Sequence, residues 1–311
     1  MWFGPSKALA VAGVLASTGS AVVGARNLLS GQAEQARSVI PKAWDIPPRA
    51  DGVYAPGGAP VRRWERGTPV GLHLMVFGDS TATGYGCRQA EEVPGALLAR
   101  GLAEQSGNQV RLSTKAIVGA TSRGLASQVD AMLVAGPPPD AAVIMIGAND
   151  VTVLNGIGPS ARRLGAAVRR LRAGGTAVVV GTCPDLGVIT AIPQPLRWTA
   201  RSLGLRLARA QAGEVHAAGG IPVPLADLLA PHFETEPELL FSDDHYHPSA
   251  TGYALAAAQL LLALRHALDK DRPELPWAAA SSGLATRLAP ISRLLRGRST
   301  GVAARATPPA S

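Results

Sequence analysis

The stretch that decides the fold is His73-Leu74-Met75-Val76-Phe77-Gly78-Asp79-Ser80-Thr81. It starts as an apolar run typical of a buried strand, stops at a glycine and continues with three small polar residues. If the sheet is parallel, the carboxyl end of this strand faces the crevice in which open α/β domains bind their ligands. Ser80 is therefore a candidate nucleophile. The same polar residues could instead simply cap the next helix, because all three types accept hydrogen bonds from helix N–H groups.

Strand and helix signals alternate along the rest of the central chain. Strands are predicted at residues 110–118, 141–146, 176–182 and 221–225. Helices are predicted at residues 91–105, 123–134, 159–173, 196–217 and 248–268. Unbroken apolar strands separated by helices predict an α/β fold with a doubly wound parallel sheet that is covered on both faces.

The composition divides the chain into three parts. A proline-punctuated linker precedes the central domain, which is predicted to span residues 51–270. At its start, Gly52-Val53-Tyr54 and Val61-Arg62-Arg63-Trp64 flank a Pro-Gly-Gly turn and predict a small hairpin. Residues 1–50 hold a hydrophobic segment and the linker, and residues 271–311 form a Pro-, Ala- and Arg-rich tail.

The N-terminal part contains an uncharged apolar run at residues 8–25. Its length is at the lower limit for a membrane span, and small residues near its end also suit a signal peptide. Either interpretation predicts a membrane-anchored or secreted protein, with possible membrane association through this run. The alternative is an apolar helix of a cytoplasmic protein, because more basic residues follow the run than precede it.

The net charge of +8 and the pI of about 10.2 raise the question of an anionic partner. Residues 281–311 carry five arginines and no acidic residue, so much of the excess charge lies in the tail and not on a folded face. No helix-turn-helix, zinc-finger or aromatic RNA-binding pattern accompanies it. The sequence predicts no nucleic-acid partner.

Two cysteines, Cys87 and Cys183, exclude a disulfide-rich scaffold and a site built from several thiolates. In an exported protein they could form one bridge, and two separately buried thiols are an equal alternative.

Polar clusters occur at four places where predicted strands end or the last helix begins. They are Gly78-Asp79-Ser80, Gly119-Ala120-Thr121, Gly147-Ala148-Asn149-Asp150 and Asp243-Asp244-His245-Tyr246-His247-Pro248. The strand direction predicts that all four converge on one crevice. Together they supply a hydroxyl, backbone donors, an amide and an imidazole with a carboxylate, which are the parts of an acyl-transfer site.

The order Gly-Asp-Ser, Gly, Gly-x-Asn-Asp and Asp-x-x-His-Pro, between residues 78 and 248, resembles the SGNH (GDSL-like) hydrolases. The resemblance implies a flavodoxin-like three-layer α/β/α fold and a serine esterase that uses neither cofactor nor metal. The substrate would be a small-molecule or lipid ester, including short acyl esters and acetylated glycans. The family's usual fourth residue of the first block is leucine, and Thr81 stands there instead, which concerns substrate preference more than mechanism.

Carried over block by block, the resemblance makes Ser80 the nucleophile, His247 its base and Asp244 the carboxylate that orients the base. The oxyanion hole would consist of the Ser80 N–H, the Gly119 N–H and the Asn149 amide. These roles agree with the chemistry, because a serine hydroxyl needs an imidazole to take its proton and an oxyanion needs fixed donors.

The Asp-Asp-His-Tyr-His stretch permits two pairings of carboxylate and imidazole. In a tight turn, residues three apart share a face and residues two apart do not. The spacing therefore favours Asp244 with His247 over Asp243 with His245. Pro248 is expected in the first turn of the last helix, which would leave His247 just outside it.

Two other functions are compatible with the same clusters. The first is a metal-dependent phosphoesterase, whose ligands would be Asp79, Asp150, Asp243, Asp244, His245 and His247. This alternative leaves Ser80, Gly119 and Asn149 without a role. The second is a catalytically silent domain that binds an acyl or glycan ligand at the cell surface, because a fold does not guarantee activity.

Overall fold

The computed structural model describes residues 46–269, together with residues 27, 28, 31, 32 and 277. Residues 46–269 form a six-stranded sheet with helices packed on both faces. The strands are β1 (Gly52–Tyr54), β2 (Leu72–Gly78), β3 (Val110–Thr114), β4 (Ala141–Met145), β5 (Ala177–Gly181) and β6 (Ile221–Val223). The helices are α1 (Ser80–Thr83), α2 (Pro94–Ser106), α3 (Leu125–Ala135), α4 (Ala148–Thr152), α5 (Ile157–Ala173), α6 (Leu196–Ala217), α7 (Leu225–Thr235), α8 (Pro237–Leu240) and α9 (Ala250–Leu268).

The strand order across the sheet is β1-β3-β2-β4-β5-β6. Strand β1 is antiparallel to β3, and the other five strands are parallel to one another. The order of those five is that of flavodoxin-like folds, in which ligands bind where the winding direction reverses. Here the reversal lies between β2 and β4, which run side by side with Phe77 opposite Ile144. The predicted three-layer α/β fold is confirmed, and β1 adds an antiparallel edge.

The core lies on both faces of the sheet. On one face α3, α5 and α6 pack against β2, β4 and β5 through buried residues such as Val129, Leu164 and Val215. On the other face α2 and α9 cover the sheet, and Leu98 and Leu260 are fully buried there. Helix α3 shows why the sequence folds this way, because its buried side chains recur every three to four residues and form one apolar stripe.

The predicted hairpin at the start of the domain forms only in part. Val53 and Arg62 are joined by a single antiparallel bridge, with two backbone hydrogen bonds of 2.7 and 3.1 Å. The main partner of β1 is β3, because a strand gains more from pairing with the edge of a sheet than from an isolated two-residue contact.

The short helices α1, α4 and α8 were not among the predicted helices, and two longer helices also differ from the sequence prediction. Helix α7 was not predicted, because Pro231 within it is a helix breaker by composition. Helix α9 begins at Ala250 and not at Pro248, with Ser249 as its N-cap accepting a hydrogen bond from the Gly252 N–H. Pro248 lies before the helix in an antiparallel bridge with Phe241, and Ser249 satisfies an orphan N–H of the first turn, so the helix starts two residues later than predicted.

The apolar run at residues 8–25 lies outside the described residues, so membrane association and export remain predictions. Within the described part of the chain, no helix combines the length and the apolar character that a membrane crossing requires. The proposed boundaries at residues 50 and 270 also remain predictions.

Candidate active site

Ser80 lies directly beyond the end of β2, as the first residue of α1. Gly78 allows this sharp exit, because its φ is +135° and a Cβ built on it would lie 1.9 Å from the Met145 carbonyl oxygen. Asp79 then caps α1 by accepting hydrogen bonds from the Thr81 N–H at 3.0 Å and the Thr81 hydroxyl at 2.6 Å. Capping therefore falls to Asp79, and the Ser80 side chain is left for another partner.

That partner is His247. Its Nε2 lies 3.0 Å from the Ser80 Oγ, and its Nδ1 lies 2.6 Å from the Asp244 Oδ2. A carboxylate beside Nδ1 requires a proton on that nitrogen, so Nε2 is the acceptor and the serine hydroxyl donates to it. The three side chains form one hydrogen-bonded chain from hydroxyl to carboxylate, and Ser80 and His247 are both at least nine-tenths buried.

Both carboxylate oxygens of Asp244 accept hydrogen bonds. Its Oδ1 accepts hydrogen bonds from the Ser242 hydroxyl and from the backbone N–H groups of Tyr246 and His247, at 2.8 to 2.9 Å. Burial by itself would raise the pKa of this carboxyl, but the hydrogen bonds from the His247 ring and backbone outweigh it and lower the pKa to about 2. The carboxylate is therefore charged at neutral pH.

The other candidate pair does not assemble. His245 is exposed with φ of +52°, and Asp243 is an exposed partner of Arg88 at 2.6 Å. The structure thus contains the pair that the spacing favoured, Asp244 with His247. Both residues lie in a turn that is closed by a hydrogen bond from the Ser242 N–H to the His247 carbonyl.

Two aromatic rings pack around the imidazole. Tyr85 and Tyr246 have ring centroids 4.5 and 4.9 Å from that of His247, at interplanar angles of 47° and 74°. Such tilted contacts fix the ring plane without competing for its nitrogens.

Asn149 follows β4 in α4, next to the end of β2 in the sheet. Its amide donates one hydrogen bond to the Ala120 carbonyl at 3.0 Å and faces the same pocket as Ser80. Gly119, one residue before Ala120, has φ of +78° and is exposed. The Asn149–Ala120 bond thus links the second and third sequence clusters at one edge of the sheet.

Residues 76–255 match the GDSL-like Lipase/Acylhydrolase family. The chain is also 66% identical over 298 residues to a GDSL-like esterase of Mycobacterium tuberculosis, covering 94% of this chain and 95% of that protein. The chain belongs to the GDSL-like family. This GDSL-like protein is accordingly a carboxylic ester hydrolase, as the sequence predicted.

Solved structures support the same fold for the GDSL-like domain. A Geobacillus acetyl-xylooligosaccharide esterase superposes with a TM-score of 0.51 at 20% identity, covering 62% of this chain and 94% of that one. A hydrolase from the metagenome of Lake Arreo gives a TM-score of 0.50 at 21% identity, covering 64% and 97%. At such low identity these likenesses concern the fold alone.

An apolar pocket opens beside Ser80 and His247 in this GDSL-like domain. It is lined by the loop after β5, by α7 and by the segment after α8. The apolar side chains that line it include Leu186, Val188, Ile189, Leu225, Leu229, Ala230, Phe233 and Phe241. The loop Pro184-Asp185-Leu186 is thus a pocket wall, whereas Trp198 is 68% exposed and does not line the pocket.

The six residues of the metal-site alternative do not gather at one point, because His245 is exposed and most of the others bind partners outside the set. Asp79 binds Thr81, Asp243 binds Arg88, and Asp244 binds His247. Asp150 accepts from Ser122, Asn155 and Ser160. Among residues 46–269 no three His, Cys, Asp or Glu side chains are grouped as a cation would require.

Asp79 is 2% exposed and is close enough to His247 for the imidazole to favour its charged form. Burial raises its pKa to about 6, against the hydrogen bonds from Thr81 that favour the charged form. It is the one member of the first cluster whose charge changes near neutral pH.

Two buried glutamines support the site and were missed by the sequence analysis. Gln128 of α3 accepts from the Gly78 N–H and donates to the Gly78 carbonyl, both at 2.8 Å. Gln211 of α6 accepts from the Cys183 N–H at 2.7 Å and donates to the Ile146 carbonyl at 2.9 Å. Each is a polar residue in an apolar stripe of its helix, and that interruption was the signal available in the sequence.

Both cysteines are free in the structure. Cys183 is fully buried beside Gly147, whereas Cys87 is half-buried, and burial raises the pKa of both thiols, that of Cys87 to about 12. The two thiols therefore pack as small apolar side chains.

Proposed function

We propose that this GDSL-like esterase hydrolyses its substrate through a Ser80-His247-Asp244 triad. The observation that carries the proposal is the continuous chain of hydrogen bonds from the Ser80 Oγ through the His247 ring to Asp244, of 3.0 and 2.6 Å. Nε2 of His247 takes the Ser80 proton as the hydroxyl oxygen attacks the ester carbonyl. Asp244 holds the ring in the tautomer this transfer needs and stabilises the imidazolium that forms.

The tetrahedral oxyanion is assigned to the Ser80 N–H, the Gly119 N–H and the Asn149 amide. Asn149 donates one amide hydrogen to Ala120, and its second amide hydrogen is available to the substrate oxygen. Gly119 supports this assignment because its positive φ is one that glycine adopts without strain. The imidazolium then gives its proton to the leaving alcohol, and water releases the acyl group by the same steps in reverse order.

The acyl group of the substrate is assigned to the apolar pocket beside Ser80. Ser80 lines the same pocket as Leu229 and Phe233, which are both buried, so one substituent of a carbonyl carbon held at the Ser80 Oγ is assigned to that surface. An apolar acyl chain gains free energy on leaving water for such a surface, whereas a sugar ring would lose its hydrogen bonds there. A glycan or other polar alcohol would therefore remain outside the pocket.

A fluorophosphonate probe tests the serine mechanism on the whole chain. We expect covalent labelling of the peptide that contains Ser80, with loss of hydrolysis of an activated p-nitrophenyl ester in proportion to labelling. Ser80→Ala removes both, while Thr83→Ala, in the same short helix, keeps both. Hydrolysis that survives in Ser80→Ala, or that a chelator abolishes, would reject the proposal in favour of a metal-assisted reaction.

A further inference from the structure

We propose that Asp150 is a positioning residue that sets the geometry of the oxyanion hole. This inference rests on the proposed function, since it concerns the two oxyanion donors outside α1. Asp150 does not touch the pocket, but it follows Asn149 directly in α4 and is 2% exposed. A buried carboxylate is costly unless hydrogen bonds satisfy it, and here they come from three other segments of the chain.

The contacts of Asp150 reach the loop that carries Gly119. Its Oδ2 accepts from the Ser122 N–H at 2.8 Å, and its Oδ1 accepts from the Ser122 hydroxyl at 2.7 Å. The loop ahead of Ser122 closes on itself, because the Ala120 N–H donates to the Ile117 carbonyl. Fixing Ser122 therefore fixes the short segment that presents the Gly119 N–H.

The same loop orients the second donor. The Ala120 carbonyl accepts the Asn149 amide at 3.0 Å, so a shift of this loop would rotate or release that amide. Asp150 binds the loop from one side and is covalently joined to Asn149 on the other. One carboxylate thereby determines the distance between two donors that come from different strands of the sheet.

Further contacts anchor Asp150 to the helix layer. Its Oδ1 also accepts from the Asn155 amide at 3.0 Å and from the Ser160 hydroxyl, near the start of α5, at 2.9 Å. Asn155 in turn accepts from the Arg123 guanidinium at 3.0 Å, which adds a second link to the loop after β3. The bond from Ser160 comes from α5 and not from the loop that carries Gly119, so Ser160 serves as an internal control for a purely structural role.

The first test is Asp150→Asn, which keeps the shape of the side chain but replaces one acceptor oxygen by an NH₂ group. Whichever way the new amide lies, its NH₂ group faces a donor that the carboxylate accepted from, either the Ser122 N–H or the Asn155 amide, and the negative charge that strengthens the remaining bonds is lost. The hold on the loop is therefore weakened. We expect kcat for an activated ester to fall about 10- to 100-fold, since a displacement near 1 Å at a reacting centre can cost about 10²-fold. KM should change less than about threefold, because the lost interaction acts in the transition state.

Two readouts separate positioning from general destabilisation. The midpoint of the acid limb of the pH–rate profile should stay at the wild-type value in Asp150→Asn, because His247 and Asp244 are untouched. Ser160→Ala also removes a hydrogen bond from the same carboxylate, and we expect its kcat to stay at the wild-type value even if its unfolding temperature falls. An equal loss of kcat in both variants would overturn the proposal.

A second pair of variants covers the case in which Asp150→Asn does not fold. Ser122→Ala and Ser122→Pro both lose the hydroxyl, and only the proline variant also loses the N–H that binds Asp150. Ser122 opens a short 3₁₀ turn after an extended Thr121, a position that accepts proline. We expect Ser122→Pro to lose at least tenfold more kcat than Ser122→Ala, and equal values would reject the proposal.

A double-mutant cycle connects Asp150 with Asn149. If Asp150 acts through the oxyanion donors, Asp150→Asn should reduce kcat much less in an Asn149→Ala background than in the wild type. Fully additive losses would reject the proposal. If the proposed oxyanion hole is wrong, Asn149→Ala will keep the wild-type kcat. If only the role of Asp150 is wrong, Asn149→Ala will be impaired and Asp150→Asn will keep the wild-type kcat.

Discussion

The Nε2 atom of His247 lies 3.0 Å from the Oγ atom of Ser80, although 167 positions of the sequence separate the two residues. The sheet makes this contact possible, because Ser80 leaves the end of β2 while His247 enters from the turn before α9. Both side chains are buried, so the contact is already formed in the structure without a substrate.

The first prediction concerns which of the two histidine–aspartate pairs is catalytic. We expect His247→Ala to be nearly inactive and Asp244→Ala to be impaired less severely, because the imidazole transfers the proton and the carboxylate only orients it. Asp243→Ala and His245→Asn should keep most of their turnover, since both side chains are exposed and asparagine suits the positive φ at residue 245. Steady-state kinetics measure this. An inactive His245→Asn variant together with an active His247→Ala variant would show that Asp243 and His245 are the catalytic pair instead.

Removing the Asn149 amide tests the oxyanion hole. Asn149→Ala should lower kcat by about 10² to 10³, the usual effect of losing one such donor, and change KM much less. Thr152→Ala, in the same short helix with its hydroxyl bonded to the Asn149 carbonyl, is a matched control and should lose little. A defect confined to KM would assign Asn149 to substrate binding.

The apolar pocket predicts a limit on the acyl group. Each methylene buried in it should contribute up to about 0.8 kcal/mol, roughly fourfold in kcat/KM, until the pocket is full. Ala230→Leu adds bulk inside the pocket, so it should shift the preferred p-nitrophenyl ester towards shorter acyl chains while acetate hydrolysis changes little. Ala254→Leu, exposed on α9 and not lining the pocket, is the control. An unchanged chain-length profile in Ala230→Leu would place the acyl group elsewhere.

Asp79 predicts a pH-dependent difference in stability. Its pKa rises from 3.8 to about 6 on folding because burial disfavours the charged form. The folded state therefore binds more protons than the unfolded chain between those values, and stability is lost as the pH rises through them. Asp79→Asn, which still caps α1, should gain up to about 3 kcal/mol relative to wild type between pH 4 and pH 7.5. Urea unfolding of both proteins at the two pH values measures this, and parallel behaviour would contradict it.

Replacing the buried Gln128 should lower the free energy of unfolding without changing the charge of the protein. Gln128→Leu leaves the Gly78 N–H buried without its acceptor, which should cost about 1 to 3 kcal/mol of unfolding free energy. The Gly78 carbonyl keeps the Ile117 N–H at 3.0 Å. Gln105→Leu, exposed on α2, should change stability by less than about 0.5 kcal/mol. Equal denaturation midpoints for the two variants would show that Gln128 is not required to hold the end of β2.

Local patterns were sufficient to predict the α/β fold and the four clusters. Unbroken apolar runs that alternate with helices predict a parallel sheet covered on both faces, and the direction of its strands brings their ends together. The pairing of Asp244 with His247 was also predictable, because three residues of one turn fix which side chains can meet.

The sequence alone did not determine the partners that come from distant elements. Gln128 and Asp150 bind backbone groups that are 50 and 28 positions away in the sequence. The periodicity of apolar residues along the sequence does not indicate such contacts. The pocket depends on α7, whose proline hid it from the sequence pattern. These features follow from how helices pack on the sheet, because a buried polar group must bind whatever donor or acceptor the packing brings within reach, and only the tertiary structure decides which one that is.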